Sequence, residues 1–220
     1  MAEMQSTTSL GHFGAIVLAG GSSTRMGSPK ALLDIQGMPL ICRLIRTARQ
    51  VMQIRQILVV TGHEPQRIRE AVCSISDQKV TFVHNPAHAK GEMISSVKEG
   101  IRAVGDDWDG FFLMLLDQPL IHHRTLEEMA QLWRAQRPAL VIPTYHGQRG
   151  HPLLIASRCV ASILSLPTDR TLREFVNQYK SETKLIEVDD HGVLCDIDTP
   201  HDYQRVLEQL RIPEPKNDRL

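Results

Sequence analysis

The stretch A-I-V-L-A-G-G-S-S-T-R-M-G-S-P-K, residues 15–30, joins an uninterrupted apolar run to a loop rich in glycine and serine. A short apolar run that ends in small residues is typical of a buried β-strand followed by a turn. Consecutive small residues let several backbone N–H groups converge on an anion, and Arg25 and Lys30 add two cations to the same loop. The stretch therefore predicts a strand with a polyphosphate cradle at its end.

The spacing within this loop excludes two common phosphate-binding motifs. The residue after Gly27 is Ser28 and not lysine, and the distance from Gly21 to Gly27 is too long, so the loop is not a Walker A motif. It also lacks the G-x-G-x-x-G spacing of dinucleotide-binding folds. On residue chemistry alone, phosphate binding and a plain turn with two solvated cations both remain open.

Outward from this loop, strand-like and helix-like segments alternate along the chain. The strand-like runs are 15–19, 56–62, 79–85, 111–117, 139–145 and 184–189. The helical patterns are 39–51, 65–72, 95–104, 125–137, 171–179 and 200–210. Most of the strand-like runs lack polar alternation, which indicates strands covered on both faces. The pattern predicts a single three-layer α/β/α domain with a mostly parallel, mixed sheet, whose ligands lie beyond the carboxyl ends of the strands.

The order of these segments suggests one folded domain with short ends. We expect a flexible N-terminus over 1–12, the domain itself over 13–211 and a flexible tail over 212–220. Glycines and prolines break the regular alternation after about residue 143. A small lobe that binds a second ligand, called the acceptor below, is therefore expected over about 143–190.

Composition restricts the classes of partner. Basic and acidic residues number 25 each, so the formal net charge is zero, and only 5% of residues are aromatic. Since nucleic-acid binders need excess basic residues or stacking rings, we expect no nucleic-acid partner. The first apolar run is too short for a signal peptide or a membrane span, so we expect a cytoplasmic protein without a membrane partner.

Carboxylates beyond the predicted strands point to a metal. Asp117 ends the apolar run 111–117. A carboxylate that faces a polyphosphate is repelled unless a divalent cation lies between them, so Asp117 is a candidate Mg²⁺ ligand. Asp196 and Asp198 point to the same face of an extended segment, so their spacing does not decide which is the second ligand. Thr199 and Asp202 form a capping-box pattern around Pro200, so Asp198 is not needed as a helix cap.

Two further polar pairs are candidates for acceptor binding. Ser95 and Ser96 open a predicted helix, where ligand contact and ordinary N-capping are both open. Arg149 and His151 lie in the irregular stretch 147–152, which combines a cation, a flexible backbone and a neutral donor. We assign all four side chains to the acceptor-binding set.

The glycine-rich segment resembles the signature L-A-[A/G]-G-x-S-x-R-M-G-x-x-K of the MobA-like nucleotidyltransferases. Further elements follow in the family's order: Asn85-Pro86, Leu116–Pro119, Gly147–Pro152 and Asp196–Pro200. The R-G-H-P and D-I-D-T-P elements are most similar to the molybdenum cofactor cytidylyltransferase branch. The resemblance implies a Rossmann-like fold of the nucleotide-diphospho-sugar transferase type.

The resemblance also implies roles for individual residues. The implied nucleotide-binding set is Leu18, Ala19, Gly20, Gly21, Ser22, Arg25 and Lys30. Arg25 and Lys30 would hold the phosphates and, with Asp117, form the catalytic set. The family's second metal aspartate precedes the T-P pair, so the resemblance assigns Mg²⁺ to Asp117 and Asp198.

The implied reaction moves CMP from CTP onto the phosphate of molybdopterin and releases pyrophosphate, with a molybdenum hydroxylase as a possible receiver of the product. Gly20 leaves the nucleotide open, because guanylyl members carry the same L-A-G-G and would use GTP. A sugar-phosphate or alcohol-phosphate acceptor is a further alternative. A non-catalytic chaperone that delivers the cofactor is another, against which the intact Arg25, Lys30, Asp117 and Asp198 argue.

Overall fold

A mixed β-sheet of eight strands runs through the middle of the molecule. The structure is a computed structural model that describes residues 11–20, 29–73, 80–88, 93–104, 107–167 and 170–211. Its strands are β1 (Phe13–Ala19), β2 (Asp34–Ile35), β3 (Met38–Pro39), β4 (Ile54–Thr61), β5 (Val80–His84), β6 (Gly110–Leu115), β7 (Leu140–Tyr145), β8 (Gln148–Arg149), β9 (Leu153–Ala156) and β10 (Thr183–Glu187). Its helices are α1 (Leu40–Gln50), α2 (Pro65–Cys73), α3 (Met93–Arg102), α4 (His123–Gln136), α5 (Val160–Ser165), α6 (Leu172–Gln178) and α7 (Pro200–Arg211).

The strand order confirms the expected class of sheet. The order is β10-β7-β9-β6-β1-β4-β5, with β8 paired to β7 and with β2 and β3 forming a separate hairpin. Strand β1 is parallel to β4 and to β6, and β4 is parallel to β5. Strand β9 is antiparallel to both β6 and β7, which makes the sheet mixed.

Helices cover both faces of the sheet. Every residue of β1, β6 and β9 is buried, and successive side chains of a strand point to opposite faces. Helix α1 contacts β1, α2 and α4, whereas α3 packs against β1 and α5. The sheet is therefore the middle layer of three, as the unalternated apolar runs predict.

The predicted segments match the observed elements, with informative exceptions. The structure adds β9, β8, α5 and the β2–β3 hairpin. Strand β9 escapes a pattern search because it has only four residues and directly follows a proline. The stretch 143–190, where a small lobe is expected, contributes β8, β9 and β10 to the same sheet. Helix α3 begins at Met93, so Ser95 and Ser96 lie inside its first turn and do not open it.

None of the helices in the described ranges is both long enough and apolar enough to cross a lipid bilayer.

A glycine in the central strand provides a test of this packing. A Cβ atom on Gly14 would lie 2.0 Å from ring atoms of Trp108, which is only 8% exposed. We expect Gly14→Ala to lower the free energy of unfolding by about 1–3 kcal/mol, because the buried indole has to move. Urea denaturation measures this loss. In a Trp108→Leu background the same change should have a clearly smaller effect, and an equal effect would contradict the steric explanation.

Candidate active site

The parallel strands bring the predicted site residues to one edge of the sheet. Leu18 of β1 is in register with Val60 of β4 and Leu115 of β6, and Thr61 is in register with His84 of β5. The residues that follow these strands therefore lie side by side. They are Gly20 after β1, Gly62 after β4, Asn85 after β5 and Asp117 after β6.

The start of the glycine-rich loop is closely packed. A Cβ atom on Gly62 would lie 2.6 Å from the carbonyl oxygen of Gly20 and 2.6 Å from Cβ of His88. A Cβ atom on Gly20 would lie 3.3 Å from Oγ of Ser96. Leu18 and Ala19 are buried just before it. Gly21, Ser22 and Arg25, which the resemblance assigns to the nucleotide, lie outside the described residues.

A buried asparagine positions the two serines of α3. Asn85 is fully buried, and its side-chain amide donates hydrogen bonds to Oγ of Ser95 and to Oγ of Ser96, both at 2.9 Å. Its Oδ1 accepts a hydrogen bond from the backbone N–H of Ala87 at 2.9 Å. Asn85 therefore fixes Ser96 beside Gly20, on the side of the glycine-rich loop.

Asp117 lies in the turn after β6 and is tied to the segment before α7. Its backbone carbonyl accepts a hydrogen bond from the N–H of Ile197 at 2.9 Å. Its Oδ1 is buried and has no hydrogen-bond partner in the described part of the chain. Burial raises the pKa of the Asp117 carboxyl; the charge of Lys30 lowers it in part, and the charges of Asp196 and Asp198 raise it. Three carboxylates and one ammonium group thus share a small volume.

The two aspartates before α7 have different partners. Nζ of Lys30 lies 3.0 Å from Oδ1 of Asp198, and the lysine side chain is only 15% exposed. Nε2 of Gln118 donates to Oδ1 of Asp196 at 2.6 Å. Gln118 has no role in the sequence interpretation, although it stands in the quoted L-D-Q-P element, because only the fold brings it to Asp196.

The capping box predicted at α7 holds Asp198 at this edge. The N–H of Asp202 donates to Oγ1 of Thr199 at 3.2 Å, and Oδ2 of Asp202 accepts from the N–H of Thr199 at 2.9 Å. Oδ2 also accepts from the N–H of Asp198 at 3.3 Å. The helix start therefore fixes the backbone that carries Asp198 and leaves its carboxylate for Lys30.

The donor set fits a small divalent cation. Asp117 supplies a buried carboxylate oxygen without a partner, and Asp198 is a second carboxylate nearby whose charge raises the pKa of Asp117. Within the described ranges, no cluster of three or more His, Cys, Asp or Glu side chains could enclose a metal alone. Mg²⁺ commonly takes one or two protein carboxylates and completes its shell with phosphate oxygens and water. The arrangement fits that mode of binding.

A cavity of about 560 Å³ contains the two other predicted side chains. Arg149, Gly150 and His151 line it together with Arg173 of α6, which is absent from the predicted set. The apolar part of its lining consists of Met93, Ile94, Leu115, Ile142, Leu153, Leu172 and Val176. Ser95 and Ser96 do not line it. The cavity thus joins an apolar wall to a few polar groups, which is typical of a site for an organic ligand.

Backbone contacts fix His151 in this cavity. The N–H of His151 donates to the carbonyl of Val193 at 3.0 Å, and a Cβ atom on Gly150 would lie 2.2 Å from that same oxygen. Burial lowers the pKa of the His151 imidazole, and the charge of Asp196 raises it in part. His151 is therefore neutral near pH 7 and electrostatically coupled to the carboxylate edge.

Comparison with known proteins gives the family of the chain. The model of the MobA-like NTP transferase domain matches residues 15–183, a span that runs from β1 past Asp117 to the first residue of β10. The chain belongs to this family. Its fold is that of the nucleotide-diphospho-sugar transferases, and it is a MobA-like nucleotidyltransferase related to the molybdenum cofactor cytidylyl- and guanylyltransferases.

Named relatives of this MobA-like chain cover most of its length. It is 27% identical over 194 residues to the molybdenum cofactor cytidylyltransferase of Escherichia coli K12, which covers 88% of this chain and 95% of that protein. It is 27% identical over 146 residues to the probable molybdenum cofactor guanylyltransferase of Bacillus cereus AH187, over 66% of this chain and 67% of that protein.

Solved structures show the same fold. Rv0371c of Mycobacterium tuberculosis H37Rv superposes with a TM-score of 0.77 at 25% identity, covering 90% of this chain and 99% of that one. A complex of Rv0371c with manganese superposes with a TM-score of 0.73 at 24% identity, covering 90% and 98%.

The charge of Asp117 makes the metal-free protein less stable, which Asp117→Asn tests. Because the folded protein favours the protonated carboxyl, stability should fall as the pH rises above the ordinary carboxyl pKa of about 4. Asp117→Asn removes this fall, so its melting temperature should exceed that of the parent at pH 7 and match it near pH 4. Thermal melts between pH 4 and pH 8 measure the difference. Asp189→Asn, at an exposed aspartate whose charge is not among those acting on Asp117, is the control, and an equal gain there would contradict the explanation.

Proposed function

We propose that this protein transfers the CMP group of CTP to the phosphate of molybdopterin or its molybdenum-loaded form, with release of pyrophosphate and with Mg²⁺ as the metal. The observation that carries the proposal is the meeting of Lys30, Asp117 and Asp198 at the sheet edge where the glycine-rich loop begins. The cavity with Arg149 and His151 is lined by Leu115 of β6, the strand that leads to Asp117, and supplies room for a second substrate.

The nucleotide would lie against the start of the loop. Gly20 lies beside Gly62 and Ser96. Because it has no side chain, its backbone can approach a ligand closely. Leu18, Ala19, Gly21 and Ser22 complete the proposed nucleotide wall, and Arg25 is proposed for the phosphates on sequence grounds. The cytidylyltransferase of Escherichia coli, which matches over 88% of this chain, supports CTP.

GTP is the second candidate nucleotide, and Gly20 is the residue that favours it. The L-A-G-G sequence at 18–21 is that of guanylyl members of the family. An alanine Cβ at position 20 would lie 3.3 Å from Oγ of Ser96, so the glycine leaves more room at the start of the loop. The choice between CTP and GTP therefore depends on the shape of the proposed nucleotide wall at Gly20.

The chemistry requires positioning and charge neutralisation more than proton transfer. A phosphate monoester is already ionised near pH 7, so one of its oxygens can attack the α-phosphorus of the nucleotide in line with the bond to the leaving pyrophosphate. The new P–O bond forms as the α-β bridging bond breaks, and pyrophosphate leaves as the anion. No general base is needed, and the neutral His151 is free to act as a hydrogen-bond donor.

The residues of the edge have distinct parts in this step. Lys30 supplies a point charge for the α-phosphate, and the Arg25 guanidinium offers two parallel donors to the departing pyrophosphate. Asp117 and Asp198 would hold Mg²⁺, which when bound neutralises the phosphate charge and aligns the reacting oxygens. Asp198 also fixes Lys30 through the 3.0 Å ion pair. Gln118 holds Asp196 through a hydrogen bond of 2.6 Å.

Pyrophosphate release from purified protein tests the proposal. With Mg²⁺, molybdopterin and CTP we expect release that depends on all three, and Asp117→Ala and Asp198→Ala should each lower it by about a hundredfold or more while the fold survives. Full activity in Asp198→Ala with loss in Asp196→Ala would reverse the metal assignment. Cofactor binding without pyrophosphate release from either CTP or GTP would instead support a non-catalytic carrier that serves a molybdenum hydroxylase.

The acceptor assignment predicts a separable effect. Arg149→Ala or His151→Ala should raise the KM for molybdopterin about tenfold or more, since each removes one directed donor from the cavity. The affinity for nucleotide should stay nearly unchanged, because the glycine-rich loop begins at a different strand. Steady-state kinetics and titration calorimetry measure the two quantities. A parallel fall in nucleotide affinity in both variants would place this cavity in the nucleotide site.

A further inference from the structure

A second large cavity lies apart from the site described above. It has a volume of about 940 Å³ and shares no lining residue with the cavity around His151. Its walls come from α1, from the segment 119–122, from the start of α4 and from residues 189–192. Lys30, Asp117 and Asp198 are not among its lining residues. The proposed transfer reaction therefore assigns it no role.

Three arginines of this cavity lack a carboxylate partner. Arg43 and Arg46 come from α1 and Arg124 from α4, and none of them forms an ion pair with a carboxylate in the described part of the chain. Some exposed arginines elsewhere are paired; Arg67 lies 2.5 Å from Glu64 and Arg102 lies 2.5 Å from Glu99. This cavity brings together three arginines that form no such pair within the described ranges.

The acidic residues of the cavity do not neutralise these arginines. Asp190 is buried, and its Oδ2 accepts hydrogen bonds from the N–H of His122 at 2.9 Å and from Oγ1 of Thr125 at 2.6 Å. Its Oδ1 accepts from the N–H of Gly192 at 2.9 Å. Asp190 is therefore committed to joining two walls of the cavity. With Asp189 also in the lining, two aspartates stand against three arginines, so the lining keeps a formal charge of +1.

Arg43 is the most constrained of the three cations. It is half-buried, and no hydrogen-bond acceptor for its guanidinium is found within the described ranges. Burial lowers the pKa of Arg43, and the charge of Arg46 lowers it further. A half-buried guanidinium beside a second one has lost part of its hydration, and a bound anion would compensate that loss.

We propose that this cavity binds a soluble small molecule that carries more than one phosphate group. Arginine forks match phosphate oxygens with two parallel hydrogen bonds, and here they converge from two separate helices. His122 and His191, which also line the cavity, add further donors. The volume exceeds the need of a single phosphate, and the edge-to-face rings of Tyr145 and His191, 5.9 Å apart, border it with a flat surface for the rest of the molecule.

A titration followed by ¹H–¹⁵N NMR tests the proposal with inorganic tripolyphosphate as the probe. The full chain is used without divalent metal, and amide and arginine Nε signals are recorded. We expect saturable shifts at Arg43, at residues 122–124 and at Gly192, with a midpoint below about 1 mM. Arg43→Gln with Arg46→Gln should weaken binding at these signals at least about tenfold and leave the shifts of residues 18–30 unchanged.

Matched variants make the outcome decisive. Arg67→Gln with Arg102→Gln removes the same charge from carboxylate-paired positions and should change the affinity less than about twofold. Arg124→Gln, at an exposed position, replaces the double variant if that variant fails to fold. The proposal is overturned by the absence of saturable shifts up to about 10 mM, by an equal loss in the control pair, or by a loss at residues 18–30 in step with the cavity signals.

Discussion

The in-register parallel pairing of β1 with β4 and β6 is the constraint on which the rest of the structure depends. Because Leu18, Val60 and Leu115 lie at the same level of the sheet, the chain leaves all three strands at one edge. Gly20, Gly62 and Asp117, which follow these strands, lie at that edge. Gly62 allows its turn to approach Gly20 to a distance that a Cβ atom on residue 62 would prevent.

At that edge the negative charges of several carboxylates repel one another, and the protein compensates only part of this repulsion. Lys30 is the one described cation coupled to Asp117, while Asp196 and Asp198 both raise the pKa of that carboxyl. Gln118 donates a hydrogen bond to Asp196, and the capping box at α7 provides an acceptor for the backbone N–H of Thr199. A buried oxygen of Asp117 still has no partner in the described part of the chain. Such an arrangement is suited to a divalent cation that arrives with a polyphosphate, and it explains why a phosphoryl-transfer site can lack a catalytic base.

The second half of the chain contributes strands to the sheet and side chains to the cavity around His151. Strand β9 enters the sheet antiparallel between β6 and β7, and the segment just before it carries Arg149 and His151 into the cavity beside α6. Membership of the MobA-like NTP transferase family rests on residues 15–183, which include this segment. The relatives with cytidylyl and guanylyl activities in their names differ in nucleotide, so the shared fold by itself does not fix the base.

The sequence by itself determined the class of fold and the order of the six main strands and six main helices, and it singled out Lys30 and Asp117, with Asp196 or Asp198, as site candidates. These are local properties: apolar runs without alternation, a capping box, and small residues next to cations in one loop. Only the tertiary structure decided that β9 completes the sheet, that Gln118 holds Asp196 while Lys30 holds Asp198, and that Ser96 lies beside Gly20. Contacts between residues far apart in the chain depend on strand register and on packing. Neither of these produces a periodic pattern in the sequence that would identify the contacting residues. The same holds for the arginine-lined cavity, whose walls come from six separate parts of the chain.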